Sequence, residues 1–339
     1  YQSIAFGDLD GDGDREIAVC AHKDAAGCYV FHHDGTGYPG WPKYYGTWTY
    51  CPPTVTDLEG DGELEILKPT YARPPAFRPP RFLLEGADEA SAPLFVARDQ
   101  ELARLAAFAD QAMGGTGRVA FVTGGPGQGK SALLDEFVRR AMREHPEVLV
   151  ARGDCNAYAG AGDPYLPFRD VMAMLTGDLE GRWSAGALRH DHAQRLWDAL
   201  PLVMTALLDW GPSLIGTLVD GDALLSRMTS ATPDVHGWLE HLRTLAQQAR
   251  TGAMDLEQSF LFEQCARVLG AVAEQHPLAL VLDDVHWADN ASIGLLFHLG
   301  RRLAQPGHSI LIVCAYRPEE VSLGQGGRRH PLEKVLREF

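Results

Sequence analysis

Residues 118–131 constrain the fold of this chain more than any other stretch. RVAFVTG, residues 118–124, is a short apolar run rich in β-formers. It leads into Gly124, Gly125, Pro126, Gly127, Gln128, Gly129, Lys130 and Ser131, a full match to GxxxxGK[ST]. SALLDEFVRRAMRE follows, with apolar residues at helical spacing. A loop poor in side chains lets backbone N–H groups wrap a polyphosphate, and the next helix aims its positive end at the same charge. Lys130 is placed to reach the β- and γ-phosphates, and the Ser131 hydroxyl to ligate Mg²⁺. A strand, this loop and a helix in that order predict an α/β fold that binds ATP and Mg²⁺.

A second element answers the first. PLALVLDDVHWAD, residues 277–289, reads as a buried parallel strand ending in two acids. Asp283 is expected to hold Mg²⁺, and Asp284 to orient or activate the attacking water. Asp289 reads as the cap of the next helix. A further strand, SILIVCAYRPEE, ends at Arg317, which from that tip is expected to sense the γ-phosphate. The bland alternative is an ion pair of Arg317 with Glu319 or Glu320. His286 and Trp287, just beyond the acids, either contact the catalytic water or pack the loop, and packing is the stronger reading.

Strands near 118–124, 147–153, 278–283 and 309–316 predict a parallel sheet with helices on both faces. The insert 168–275 is mostly helical by pattern, its Met and Trp residues belonging to its core.

At this point a resemblance is visible. FVARDQEL (95–102), GGPGQGKS, GDCNAYAGAGDPYLPFR (153–169), LDDVHWAD and AYRPEEV resemble the module of STAND-class P-loop ATPases. More narrowly, they are similar to the origin-recognition-like AAA module of large bacterial regulators. The resemblance implies a nucleotide switch that hydrolyses ATP slowly, joined to effector or sensor domains beyond residue 339. It allows a nucleotide-dependent oligomer and a cytoplasmic setting. It also implies that Val96 and Arg98 contact the adenine, although Ala97 stands where such proteins usually have Gly. The chain ends before the fifth sheet strand of that class, so residues 93–339 read as an ATPase domain truncated at its C-terminal end. A metabolic P-loop kinase is the weaker enzyme reading, since no mobile basic lid is evident.

The front of the chain has a different character. Residues 1–70 hold 12 Asp and Glu against 4 Lys and Arg, a net of −8 out of −15 for the whole chain. FGDLDGDGDREI (6–17) and VTDLEGDGELEI (55–66) form an internal repeat, with Asp8 and Asp57 49 residues apart. The first copy offers Asp8, Asp10, Asp12 and Glu16 with the Asp14 carbonyl between; the second offers Asp57, Glu59, Asp61 and Glu65 with the Glu63 carbonyl. Alternating oxygens on a Gly-rich turn suit a hard cation such as Ca²⁺. An EF-hand is excluded, because Val19 and Lys68 stand where its bidentate Glu must be.

This segment resembles FG-GAP repeats, the blade units of integrin-type β-propellers, with YVFHHDGTGYPGWP as a hairpin and turn. Two blades cannot close a propeller. The segment therefore reads as a small all-β piece of something larger, or of a chimeric gene product. Such repeats usually work outside the cell, which conflicts with an ATPase and keeps an extracellular Ca²⁺-binding scaffold as the rival function. Residues 71–92, rich in proline and without a clean period, read as a linker.

Composition bounds the rest. The net charge of −15 disfavours direct contact with nucleic acid or anionic membrane. No apolar run reaches the roughly 18 residues that span a bilayer. The chain starts without Met in residues that already read as a strand, so its front reads as cut. Of six cysteines, none forms a CxxC pair. Cys155, Cys265 and Cys314 read as buried hydrophobes, and a disulfide is open among Cys20, Cys28 and Cys51.

Overall fold

The computed structural model describes residues 4–21, 27–40, 43–44, 54–57, 64–67, 77–84, 98–156, 164–232, 237–250, 258–323 and 330–339. The chain divides into two compact units, Tyr1–Arg73 and Pro74–Phe339.

The first unit is antiparallel β. Strands β1 (Ile4–Gly7), β2 (Glu16–Ala21), β3 (Gly27–Phe31) and β4 (Lys43–Tyr44) form a sheet in that order, and β5 (Thr54–Thr56) pairs with β6 (Glu65–Leu67). β1 and β2 flank the first acidic loop, where Gly11 and Gly13 take φ of +75° and +93°, the left-handed region that only glycine enters freely. The repeat shows as packing: a Cβ on Gly7 in the first copy would lie 2.4 Å from Val55 Cγ1 in the second. The small core includes Ala18, Cys28 and Val30, and Cys28 is disulfide-bonded. Ile4 and Phe6 lie open to solvent.

The second unit is α/β. Strands β7 (Arg118–Thr123), β8 (Leu149–Asp154), β9 (Leu278–Asp283) and β10 (Ile310–Tyr316) form a parallel sheet in the order β7-β10-β9-β8. Every residue of β9 is buried, as expected of an unbroken apolar run covered on both faces. Alternation divides it between two cores. Ala279 and Val281 join Leu102, Leu105, Leu133 and Phe137, from α2 (Asp99–Met113) and α3 (Lys130–Glu144). Leu280 and Leu282 face the other side, with Phe168, Leu269 and Leu296.

That second layer begins with α1 (Arg81–Leu84) and α4 (Leu166–Leu175). It continues through α5 (Glu180–Ser184), α6 (His190–Asp198), α7 (Leu200–Trp210), α8 (Gly221–Ala231), α9 (Gly237–Arg250) and α10 (Gln258–Ala273). α11 (Asn290–Leu303) follows β9, and α12 (Pro318–Leu323) and α13 (Leu332–Glu338) follow β10. The insert is thus helical, and its Met172, Met204, Met228 and Trp238 are core.

One reading is corrected. Within the stretch taken as a linker, residues 77–84 belong to the second unit. Phe77, Phe82 and Leu83 are buried in its core, and Phe77 lies edge-on to Trp238 at 5.5 Å. The prolines concealed an apolar triplet whose spacing is too short to register as a period.

The strand tips are held to the insert by close backbone approach. A Cβ on Gly153 would lie 1.9 Å from the Pro167 carbonyl oxygen, so only glycine lets β8 pass α4 here. Tyr165, just ahead of α4, takes φ of +66°, and its N–H donates to Asp289 Oδ2 at 3.1 Å. This gives PYLPF a structural role: it docks β8 and α4 on the cap of α11, since Asp289 also accepts from Ala291 N–H and Ser292 N–H.

Candidate functional site

The C-terminal ends of β7, β9 and β10 converge, as parallel topology requires when each strand feeds a helix. After β7 the chain turns through Gly124–Gly129, with Gly127 at φ +70° and Gly129 at +72°. α3 begins at Lys130, so its first N–H groups face the loop. Lys130 is buried, and its ammonium donates to Gly124 O at 2.9 Å and Gly125 O at 3.1 Å. Gln128 Oε1 accepts from Gly125 N–H at 2.8 Å. Pro126 and Ser131 are exposed.

Asp283 closes β9 and is 5% exposed. Its Oδ1 accepts the N–H of Asp284 at 2.9 Å, and its Oδ2 accepts from Arg152 Nη2 at 3.0 Å. Arg152 lies on β8 opposite Val281, and it also pairs with Asp154 at 3.1 Å and with Asp135 of α3. Burial works against the guanidinium charge, but Asp154, Asp135 and Asp283 outweigh it and hold its pKa above the usual value.

Asp284 sits at φ +52°, a left-handed conformation costly for a non-glycine residue and one that recurs at functional sites. Its Oδ1 lies 3.8 Å from Arg317 Nε, at the end of β10. Burial, then the charge of Asp283, pushes the Asp284 carboxyl above the ordinary carboxylate range; Arg317 and Lys130 oppose this. Lys130, Asp283, Asp284 and Arg317 therefore share one electrostatic neighbourhood. Arg317 takes Asp284 as its partner, and Glu319 instead faces the loop, 3.3 Å from where a Cβ on Gly125 would stand.

His286 is 2% exposed, and neither ring nitrogen has a hydrogen-bond partner. Burial, then Arg317, pushes its pKa down to about 4, so the ring is neutral. Its backbone is anchored by His330. The His330 Nδ1 accepts from Leu332 N–H at 3.1 Å, so Nε2 carries the hydrogen and donates to His286 O at 3.1 Å.

Arg98, just ahead of α2, lies 4.0 Å from Glu101; Val96 falls outside the described residues. A separate cavity of about 500 Å³ lies within the insert, lined in part by Arg169, Asp170, Asp178 and Arg227, and no residue of the phosphate loop borders it.

The donor set fits Mg-ATP. A glycine loop with a buried ammonium would take the phosphates, and the buried carboxylate of Asp283 with the Ser131 hydroxyl would hold Mg²⁺. A parallel sheet carrying such a loop, with paired acids on a neighbouring strand, defines a nucleotide hydrolase of the phosphate-loop kind. The chain belongs to the AAA ATPase domain family, whose model matches residues 94–313; such domains bind and hydrolyse ATP, usually with Mg²⁺. An FG-GAP-like repeat matches residues 8–67. No curated protein matches the chain. Among the described residues no helix is long and apolar enough to cross a membrane.

In the first unit, Asp8 organises the acidic loop: its Oδ1 accepts from Gly11 N–H at 2.7 Å and its Oδ2 from Gly13 N–H at 3.1 Å. Asp12 Oδ1 accepts from Asp14 N–H at 2.8 Å, and Asp14 Oδ2 lies 3.4 Å from His33 Nδ1. Donor atoms of Asp8, Asp10 and Asp12 lie within 4.8 Å of one another, and so do those of Asp10, Glu16 and His32. Such a set can hold a divalent cation. Of the second copy, Asp57 is described and Glu65 opens β6, while Glu59, Asp61 and Glu63 fall outside the described residues.

Sequence reading missed Arg152 and His32, and named Glu319 only as a partner of Arg317. Arg152 and His32 carry no motif, and each meets its partner only through the fold.

Proposed function

We propose that this chain is the nucleotide switch of a STAND-class regulator, binding Mg-ATP, hydrolysing it slowly and signalling the change to other domains. Residues 1–70 are then an accessory repeat segment with a divalent-cation site in its first loop, and the ATPase follows with residues 77–84 packed into its core. The observation that carries the reading is the approach of Arg317 to Asp284 at 3.8 Å beside the phosphate loop. A kinase needs a cationic lid over a second substrate. A switch needs a residue that detects the γ-phosphate and reports it, and an arginine paired with the water-orienting acid serves that end.

In this reading the Lys130 ammonium leaves the Gly124 and Gly125 carbonyls for the β- and γ-phosphate oxygens. Asp283 and Ser131 would hold Mg²⁺, which would supply positive charge against the phosphates. Asp284 orients a water in line with the γ-phosphorus and takes its proton as the new P–O bond forms and ADP departs. Arg317 then exchanges between the γ-phosphate and the Asp284 carboxylate, so its position follows nucleotide state. The partners are effector or sensor domains outside this chain, with an ATP-dependent oligomer as the assembled form. The acidic surface argues against direct nucleic-acid contact.

One observation favours a second reading. The disulfide at Cys28 belongs to oxidising compartments, which supports an extracellular Ca²⁺-binding scaffold.

Two variants test the switch. Lys130→Ala weakens Mg-ATP binding at least tenfold, about 1.4 kcal/mol, by calorimetric titration. Asp284→Asn keeps ATP bound and lowers turnover. Wild-type affinity in the first or wild-type turnover in the second would overturn the assignment.

A further inference from the structure

The first acidic loop is completed by a residue from outside it. β3 ends at Phe31, and the turn that follows is closed by His32 N–H on Thr36 O at 2.8 Å and by Gly35 N–H on His32 O at 2.9 Å. That turn brings His32 back over the loop. Its Nδ1 lies 3.5 Å from Glu16 Oε1 and 3.8 Å from Asp10 Oδ2.

Glu16 is the telling member. Its side chain is 0% exposed, on the strand that leaves the loop. Oε2 accepts from Leu9 N–H at 2.7 Å, whereas Oε1 is buried and accepts no hydrogen bond. A buried carboxylate oxygen without a donor is costly, and an imidazolium meant to answer it would close to hydrogen-bond length, roughly 2.8 Å. The observed 3.5 Å is at the outer limit of that bond. It matches two atoms sharing one ion: ligands each about 2.1 Å from a metal lie roughly 3–3.5 Å apart. The three donor atoms lie within 4.8 Å of one another. The imidazole is also braced from behind. The Tyr38 ring rests against it at 4.9 Å, and the Tyr38 hydroxyl donates at 3.4 Å to the carbonyl of Leu9, whose N–H holds Glu16.

We propose that Asp10, Glu16 and His32 together hold one divalent first-row transition ion, and that the imidazole turns this loop away from Ca²⁺. This deepens the reading of the first loop as a cation site and rests on it. Ca²⁺ takes oxygen ligands in sets of roughly six to eight, while imidazole nitrogen suits first-row transition ions. Asp10 belongs to both donor groups of the loop, so an ion drawn to His32 leaves Asp8 free to keep its two loop N–H groups.

The test uses the full chain without nucleotide and Mn²⁺ as the probe, because its electron spin reports both affinity and ligand nuclei. The expected result is a Mn²⁺ site whose electron spin echo is modulated by imidazole nitrogen, with Ca²⁺ competing at least tenfold more weakly. His32→Ala and His32→Gln remove the modulation and weaken Mn²⁺ at least tenfold, with Ca²⁺ affinity unchanged within about twofold. Asp283→Asn keeps the modulation, which separates this site from the nucleotide site. Modulation that is absent, or that survives both His32 variants, overturns the role of His32 while leaving an all-oxygen cation loop in place. Failure of Mn²⁺ and Ca²⁺ alike to bind the first unit overturns both readings.

Discussion

The two units handle negative charge by different means. In the ATPase unit the acids at the strand tips meet cations from neighbouring strands: Asp283 meets Arg152 of β8, and Asp284 meets Arg317 at the end of β10. In the first unit Asp8, Asp10, Asp12 and Glu16 are met by backbone N–H groups, and Asp10 and Glu16 also face one histidine at a distance. Cores differ in the same sense. β9 is buried along its whole length, while β1 leaves Ile4 and Phe6 in solvent. The lesson is that one unit is stabilised by apolar burial, which leaves its charges free for chemistry. The other has a small apolar core and depends more on how its charges are met.

This contrast can be broken in three ways. The largest effect is expected from Leu280→Ala, at a fully buried site on the central sheet. It should cost about 3–4 kcal/mol, by lost transfer energy and a cavity. Amide exchange should accelerate throughout the ATPase unit and stay unchanged in residues 4–21. Faster exchange in both would mean the units share one core.

Asp8→Ala should cost less, about 1–2 kcal/mol, because Gly11 and Gly13 lose their acceptor on a loop that water can reach. Here exchange should rise in the first unit alone. No change there would show that charge does not hold the loop.

The smallest effect is a pH dependence in the ATPase unit. His192 of α6 is buried, and its Nε2–H donates to Val150 O at 2.8 Å. Burial, against the Val150 carbonyl, lowers its pKa from 6.5. The folded state then favours the neutral ring, so its contribution is complete above pH 6.5 and declines as pH falls below it. Denaturant midpoints taken from pH 7 to pH 5 should fall, and His192→Gln should flatten that slope. An unchanged slope in the variant would assign the acid sensitivity to other groups.

What the sequence disclosed follows from how local each feature is. The phosphate loop was legible because strand, turn, lysine and helix are contiguous. Asp283 and Asp284 were legible because a buried apolar strand has little reason to end in two acids unless a cation meets them there. Arg152 was not, since its partner lies 131 residues away and is fixed only by strand register. PYLPF had no readable role because its Tyr165 acts on Asp289, 124 residues on. Burial of Phe77, Phe82 and Leu83 was hidden by the prolines around them. His32 looked like part of an ordinary hairpin turn; its meaning lies in the orphaned oxygen of Glu16 opposite.

Asp289 has a mechanical consequence. One carboxylate starts α11 and, 124 residues back in the chain, grips the N–H of Tyr165 at the threshold of the insert. The strained φ of Tyr165 and the glycine-only passage at Gly153 remove slack on the same side. The base of α4 and the root of α11 are therefore clamped as a lever to its fulcrum. Substitution of Asp289 would release both segments at once.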